Sequence, residues 1–397
     1  MANVSSSNGL EKHPKLRFKG FTEPWKTVRI GEVYAERSER GAEDMELLSV
    51  TMNDGVKMRS DIEGKDNSSE DKSNYKIVRA GDMVYNSMRM WQGANGISPW
   101  DGIVSPAYTV LKPRMPISNG FFAALFKTHR LINEFRKNSQ GMTSDTWNLK
   151  YPQIETIKTC IPALAEQEKI ADFLMALDQR IEKQRSLVEH LKKYKRGVIS
   201  KLLSRSLDFS NSASIDWVSH RVGDFCTVQM CKRIFKEQTS TEGDVPFYKI
   251  GTIGGEPDAY ISREVYEEYR RKYNFPRKGE FLISCAGTVG KCVVYNGEDS
   301  YYQDSNIVWL RNESEFVLNE YLYLLVSNVD WSTLNSTTIT RIYNDNLRDL
   351  VFDFPPIEVQ KKISEFCVAL DKRVEGEAYN LSKLLTLKQG LIQGLFA

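Results

Sequence analysis

The chain has 397 residues, enough for two or three domains with real hydrophobic cores. Its 54 lysines and arginines against 52 acidic residues leave a net charge of +2, so the chain is not globally basic and any nucleic-acid surface must be local. No stretch of 18 or more apolar residues is present, which argues against a membrane-spanning helix, and the first twenty residues lack the apolar centre of a secretory signal.

Residues 1–14 are polar and read as a disordered tail. A first domain, 15–162, opens with Trp25-Lys-Thr-Val-Arg29-Ile30-Gly31-Glu32. Within it MELLSVTMNDGV reads as a strand running into a turn, and YKIVRAGDMVYNSM as a Gly-acid turn, Gly81-Asp82, feeding an apolar strand. ISNGFFAALFKTHRLINEFRKN has the spacing of bulky residues expected of helix, and WNLKYPQIETIKTCIP closes the domain at Pro162. A long helix follows over 163–204, then the polar linker 205–214, SRSLDFSNSAS in its fuller extent.

The pattern then repeats. The second domain, 215–355, opens with Trp217-Val-Ser-His-Arg221-Val222-Gly223-Asp224, carries VPFYKIGTIGG and FPRKGEFLISCA at matching places, and ends in RIYNDNLRDLVFDFPP. A second long helix occupies 356–397. Sliding the first helix forward by 193 positions lays Gln167 on Gln360, Ile170 on Ile363, Leu177-Asp178 on Leu370-Asp371, Lys195 on Lys388, Gly197 on Gly390 and Leu202 on Leu395, without a gap. A period near half the chain length indicates a duplicated two-part unit rather than a solenoid.

Both helices carry heptads. In the first, Ile170, Leu177, Gln184, Leu191 and Val198 share one seam position, and Leu174, Ile181, Val188, Lys195 and Leu202 the other. In the second, Ile363, Leu370, Glu377, Leu384 and Leu391 line up with Cys367, Val374, Leu381, Lys388 and Leu395. The polar breaks, Gln184 with Glu377 and Lys195 with Lys388, suggest an antiparallel pair in which Lys195 faces Glu377 and Gln184 faces Lys388, since polar seam residues fix register. The fold expected is α+β: two pseudo-repeated mixed α/β domains joined by two long helices in an antiparallel coiled coil.

Catalytic patterns are lacking. Ala286-Gly-Thr-Val-Gly-Lys291-Cys292 misses both the first glycine and the Ser/Thr of a phosphate loop and reads as a tight turn. The acid-x-Lys fragment Asp61-Ile-Glu63-Gly-Lys65 lies in a very polar surface segment, and the four histidines, His13, His129, His190 and His220, have no nucleophile or metal spacing. The six cysteines miss zinc spacing and read as reduced thiols of a cytoplasmic protein. No active site and no metal are expected, which leaves binding.

The most specific stretches are Pro162-Ala-Leu-Ala-Glu-Gln-Glu-Lys-Ile170, Leu177-Asp178-x-Arg180-Ile181 and Lys195-x-Gly197-x-Ile199-x-x-Leu202-Leu203, with their second-unit equivalents. Together with the Trp-x3-Arg-[Ile/Val]-Gly-acid openings, they resemble the specificity subunits of type I restriction-modification enzymes, over essentially the whole chain. Pro356-Ile-Glu-Val-Gln360 departs from the family pattern, with Val359 where glutamate is usual, and a small local effect is expected.

The resemblance implies a non-catalytic chain with two target-recognition domains, each reading one half of a split site in double-stranded DNA. The helix pair would set the spacing and dock two methyltransferase subunits, with restriction/translocase subunits joining later. It implies no cofactor in this chain; S-adenosylmethionine, ATP and magnesium are expected in the partner subunits. A specificity subunit of a methyltransferase-only system, or a coiled-coil scaffold binding proteins, are the alternatives.

Base readout needs Arg, Lys, Asn, Gln, Ser or Thr on loops that reach a groove. The candidates in the first domain are Thr51, Asn53 and Lys57 at a strand end, and Asn86, Arg89 and Gln92 in NSMRMWQGAN. In the second they are Lys249, Thr252, Lys291, Arg341 and Asn344. Trp25 and Trp217 read as core anchors.

Overall fold

The computed structural model describes residues 13–41, 44–52, 55–64, 66, 68–204, 216–303, 306–334 and 341–396. The linker 205–214, Asn53, and residues 1–12 of the expected tail lie outside them. The two long helices are continuous, Leu164–Leu203 (the central helix) and Ile357–Phe396 (the terminal helix). Two compact units form, and their boundary crosses both helices: the first comprises Met1–Val188 with Glu377–Ala397, the second Glu189–Gly376.

In the first unit, strand Lys26–Arg29 pairs antiparallel with Lys158–Ile161, which ties the entrance of the domain to its exit. The main sheet has four strands in the order Tyr34–Glu36, Tyr108–Pro113, Met83–Asn86, Asn95–Ile97, all antiparallel. Helices Asn119–Leu125 and His129–Asn138 cover it, each started by a hydroxyl cap, Ser118 or Thr128. The core joins Tyr34, Phe121, Phe122, Phe126 and Phe135 to Ile170 and Leu174 of the central helix and to Ile392, Leu395 and Phe396 of the terminal helix. Trp25 is buried in this core, its ring edge-on to Phe121 and Phe396.

The second unit repeats the plan. Strand Val218–Arg221 pairs with Val351–Phe354, and the sheet order is Cys226–Met230, Ile307–Asn312, Phe281–Ser284, Cys292–Val294. The glycine of the opening motif is forced in both units. A Cβ on Gly31 would lie 2.8 Å from the Cβ of Glu155, and one on Gly223 3.0 Å from that of Arg348, because the single helical turn before the exit strand packs there. The acids of the Gly-acid turns are buried for equivalent reasons. Asp82 accepts from the Arg79 amide and pairs with Arg37 at 2.7 Å, while Glu280 accepts from the Arg277 amide and pairs with Arg311 at 3.1 Å.

The units differ outside this frame. The first adds the hairpin Leu48–Thr51/Gly55–Met58 and the ladder Lys76–Val78/Gly102–Val104; the second adds Val245–Tyr248 between Tyr260–Ile261 and Tyr301–Tyr302, and a helix, Arg263–Lys272. Trp217 is half-buried rather than enclosed like Trp25.

The heptads are the buried stripe. Ile170, Leu174, Ile181, Val188, Val198 and Leu202 of the central helix and Ile363, Cys367 and Leu395 of the terminal helix are buried, and the remaining seam positions are half-buried. The helix segments run antiparallel within each unit, but the register differs from the sequence expectation. Gln184 faces Glu377, donating to its carboxylate at 2.7 Å and to its carbonyl at 3.0 Å. Lys195 pairs with Asp371, and Lys388 pairs with Asp178, its repeat equivalent. The lysine stems are long enough to carry their ammonium groups out of the seam to aspartates at its edge. That leaves Glu377 for the amide of Gln184, and one central polar layer satisfies both groups.

The repeated Pro-x4-Gln motif has a structural cause. Gln167 donates to the Pro162 carbonyl at 2.9 Å and accepts from the Ser118 amide at 3.1 Å. Gln360 does the same with Pro355 and Leu318, at 2.8 and 3.0 Å, and also donates to Phe316 at 2.8 Å. Each glutamine thus binds the exit strand, the start of the long helix and the cap of the covering helix in one buried contact.

Glu166 explains the departure at Val359. Its buried carboxylate takes a two-pronged bond from Arg17, 2.8 Å on each oxygen, which fixes the segment before Trp25 against the central helix. Leu16 continues this strap by donating its amide to Gly394, at 2.8 Å. At the equivalent place Val359 packs against the second core and can hold no such arginine.

Five cysteines lose acidity through burial. The thiols of Cys226, Cys231 and Cys292 are pushed up to about 12, and those of Cys285 and Cys367 to about 11. Because the thiolate is the reactive form, alkylation of the native protein at pH 8 is expected to run at least about 100-fold slower than in denaturant, as timed mass spectrometry would record. Rapid native labelling of any of the five would contradict this packing.

Candidate nucleic-acid interface

In the first unit, three segments meet at the end of the main sheet where strand Met83–Asn86 stops. The turn after this strand is rigid: the Asn86 side chain accepts from the Met88 amide at 3.0 Å, and the Arg89 carbonyl accepts from Gln92 at 2.9 Å. Met90 is its buried anchor, Arg89 is exposed and Gln92 half-buried. The finger 139–149 folds back beside it through paired amides of Gln140 and Asn148 (3.0 and 2.8 Å), and the Leu149 amide donates to Ser87 at 2.8 Å. Trp91 and Trp147 meet edge to face, with centroids 5.3 Å apart. The Leu48–Thr51 hairpin completes the group: its strand Gly55–Met58 runs so close to Gly96 that a Cβ there would lie 2.8 Å from Gly55.

Of the residues expected from sequence, Asn86, Arg89 and Gln92 therefore share one turn. Thr51 bonds the Gly55 carbonyl across the hairpin at 3.3 Å, and Lys57 stands opposite Ser49 further along the hairpin.

The second unit assembles the equivalent segments. The Ile342 amide donates to Cys285 at 2.9 Å, as Leu149 does to Ser87, and the Ser284 amide donates to Lys291 at 2.9 Å, as Asn86 does to Ala94. The side chains here are already engaged. Lys291 donates to the Ile253 carbonyl at 2.6 Å, Lys249 pairs with Asp258 at 2.8 Å, and the Thr252 hydroxyl accepts from the Lys249 amide at 3.0 Å. Lys291 thus holds the turn 249–253 against the turn 285–291, while Lys249 and Thr252 close the first of these turns on itself. The Arg341 guanidinium lies 5.9 Å from the ring of the exposed Tyr343, and it acts against the burial that raises the Cys285 thiol. Asn344 is exposed at the start of the helical turn Asn344–Arg348.

Sequence reasoning passed over Trp91, Trp147, Arg136 and Tyr343. An aromatic beside polar residues reads as core until its packing is seen, and nothing in the spacing links Trp91 to Trp147. The assembled surface offers hydrogen-bond donors, cations and aromatic faces at loop tips, which suits contact with base edges and phosphates.

The family model for the type I restriction modification DNA specificity domain matches this chain twice, over residues 22–190 and 214–386. The chain belongs to that family. A putative type I restriction enzyme specificity subunit of Haemophilus influenzae is 51% identical over 142 residues, 36% of this chain and 37% of that protein. The StySPI specificity subunit of Salmonella potsdam is 23% identical over 312 residues, 72% of this chain and 66% of that protein. The matches to these two curated relatives thus span less than two thirds of either one's length. Two solved structures share the fold. A chain from a type I R-M system, described for complex assembly and conformational transition, aligns with TM-score 0.60 at 19% identity over 93% of this chain and 96% of its own. The S subunit of a type I restriction-modification system from M. genitalium aligns with TM-score 0.58 at 15% identity over 97% and 99%. No helix among the described residues is long and apolar enough to cross a membrane.

Proposed function

We propose that this chain is the DNA-recognition subunit of a type I restriction-modification complex, itself without catalytic activity. Each unit reads one half of a split duplex sequence, and the helix pair sets the spacing and docks two methyltransferase subunits. In this reading S-adenosylmethionine, ATP and magnesium belong to the methyltransferase and restriction/translocase partners, and the complex works in the cytoplasm. The observation that carries it is the doubled loop assembly. Equivalent backbone bonds close the strand-end turn and join it to the late loop at the same end of the same sheet in both units, while the side chains presented differ. A shared frame with unlike contact residues is what two unlike half-sites require.

Co-expression with the methyltransferase subunit of the same operon, followed by sequencing of modified adenines in host DNA, tests this. A split motif with two unlike halves and a fixed gap is expected, and binding to that duplex should weaken steeply with salt as counterions are released. A stable complex that modifies no such motif and leaves duplex DNA unretarded would mean that the repeated loops bind protein instead.

A further inference from the structure

We infer that Arg136 is the residue of the first unit that selects a guanine in its half-site. The inference rests on the DNA-recognition reading above. Arg136 lies in the last turn of helix His129–Asn138, at the junction of the Met90–Gln92 turn and the 139–149 finger. Its guanidinium carbon lies 5.7 Å from the ring centroid of Trp91 and 5.8 Å from that of Trp147. Arg17, Arg37 and Arg79 of the same unit are each bound to a carboxylate, on Glu166, Asp82 and Asp101. Arg136 is held by two indoles instead, and among the described residues its guanidinium has neither a carboxylate nor a hydrogen-bond acceptor.

Aromatic rings contact the face of a guanidinium and leave its edge of N–H donors directed outward. Arg136 is exposed, so the donors that the indoles do not cover are open to an acceptor pair. The acceptor pair that matches a planar fork on duplex DNA is O6 and N7 of guanine. Holding the side chain beforehand removes the rotamer entropy that a long arginine otherwise gives up on binding.

The test uses the full chain co-expressed with its methyltransferase partner, as wild type, Arg136→Ala, Arg136→Lys and Trp147→Ala, with modified adenines mapped in host DNA. Exchange of the first domain assigns its half of the motif. One invariant G·C pair is expected in that half for the wild type. Arg136→Ala should lower discrimination there by about 5- to 150-fold, the range of one bidentate base contact. Arg136→Lys should relax the same position, because a single ammonium cannot reproduce the fork, and Trp147→Ala should relax it partly. The half read by the second unit should stay unchanged in every variant, which shows that the complex assembles.

Three results would overturn the inference: no invariant G·C pair in the first half, an unchanged motif in Arg136→Lys, or uniformly weaker binding with the salt slope reduced by about one, the mark of a phosphate contact. A wild-type complex that modifies no split motif is a different failure and removes the underlying reading.

Discussion

Replacing Gln360 by leucine should destabilise the second unit by about 3–5 kcal/mol, with little change in the first. Leucine keeps most of the volume, so the loss reports the hydrogen bonds rather than a cavity. The side chain is fully buried and serves three backbone groups: the carbonyls of Phe316 and Pro355, and the amide of Leu318. Each would be left in the interior without a partner, at about 1–3 kcal/mol apiece. Gln167→Leu strands only two groups, Pro162 and Ser118, and should cost about 2–4 kcal/mol in the first unit. Hydrogen exchange resolves the two units separately, which a single melting curve of a multi-domain chain does not. Equal protection of the strand Val351–Phe354 in wild type and Gln360→Leu would refute the clamp.

Gly290→Ala should be comparably severe, at about 3 kcal/mol or more. Gly290 has φ of +79°, where a side chain is strained by about 1–2 kcal/mol. Its added Cβ would lie 2.2 Å from the indole of Trp331, a buried member of the second core, so the ring would have to move. The turn 285–291 would shift with it, and the Ile342–Cys285 bond that joins the loops should lose protection first. Gly197→Ala is the control. That helical glycine has open space around it, and alanine there should add about 0.5–1 kcal/mol. If the two alanines had the same effect on unfolding, the explanation from Trp331 would fail.

The frame was legible because it was written twice. Heptad seams, the Pro-x4-Gln starts and the Trp-x3-Arg-x-Gly entrances repeat at a fixed offset, so residues such as Gln167 and Gln360 stood out before any contact was known. Their role did not, because a side chain reaching two or three backbone groups leaves no periodic trace. The helix register was misplaced for a related reason. Polar seam residues mark the layers, but sequence does not show that Lys195 and Lys388 can leave the seam for Asp371 and Asp178. The loops were legible as loops. Arg89 and Gln92 declared themselves by polarity, whereas Arg136 depends on two tryptophans distant in sequence. Lys249 and Lys291 looked available and are tied to Asp258 and Ile253.

The repeat in the sequence and the compact unit in space are not the same object. The first unit is completed by Glu377–Ala397, from the end of the second repeat, and the second unit takes in the close of the central helix. Each repeat therefore gives its last helical turns to the other's core: Ile392 and Leu395 lie with Trp25, and Ile199 and Leu202 with Phe354. Cutting the chain in the linker would separate no finished domain; each fragment would keep its sheet and lack the helix end that seals it. The repeats match at those positions, Ile199 with Ile392 and Leu202 with Leu395. Two copies of one fragment could therefore seal each other by reciprocal exchange, and a duplicated chain of this kind has a symmetric dimer as its natural antecedent.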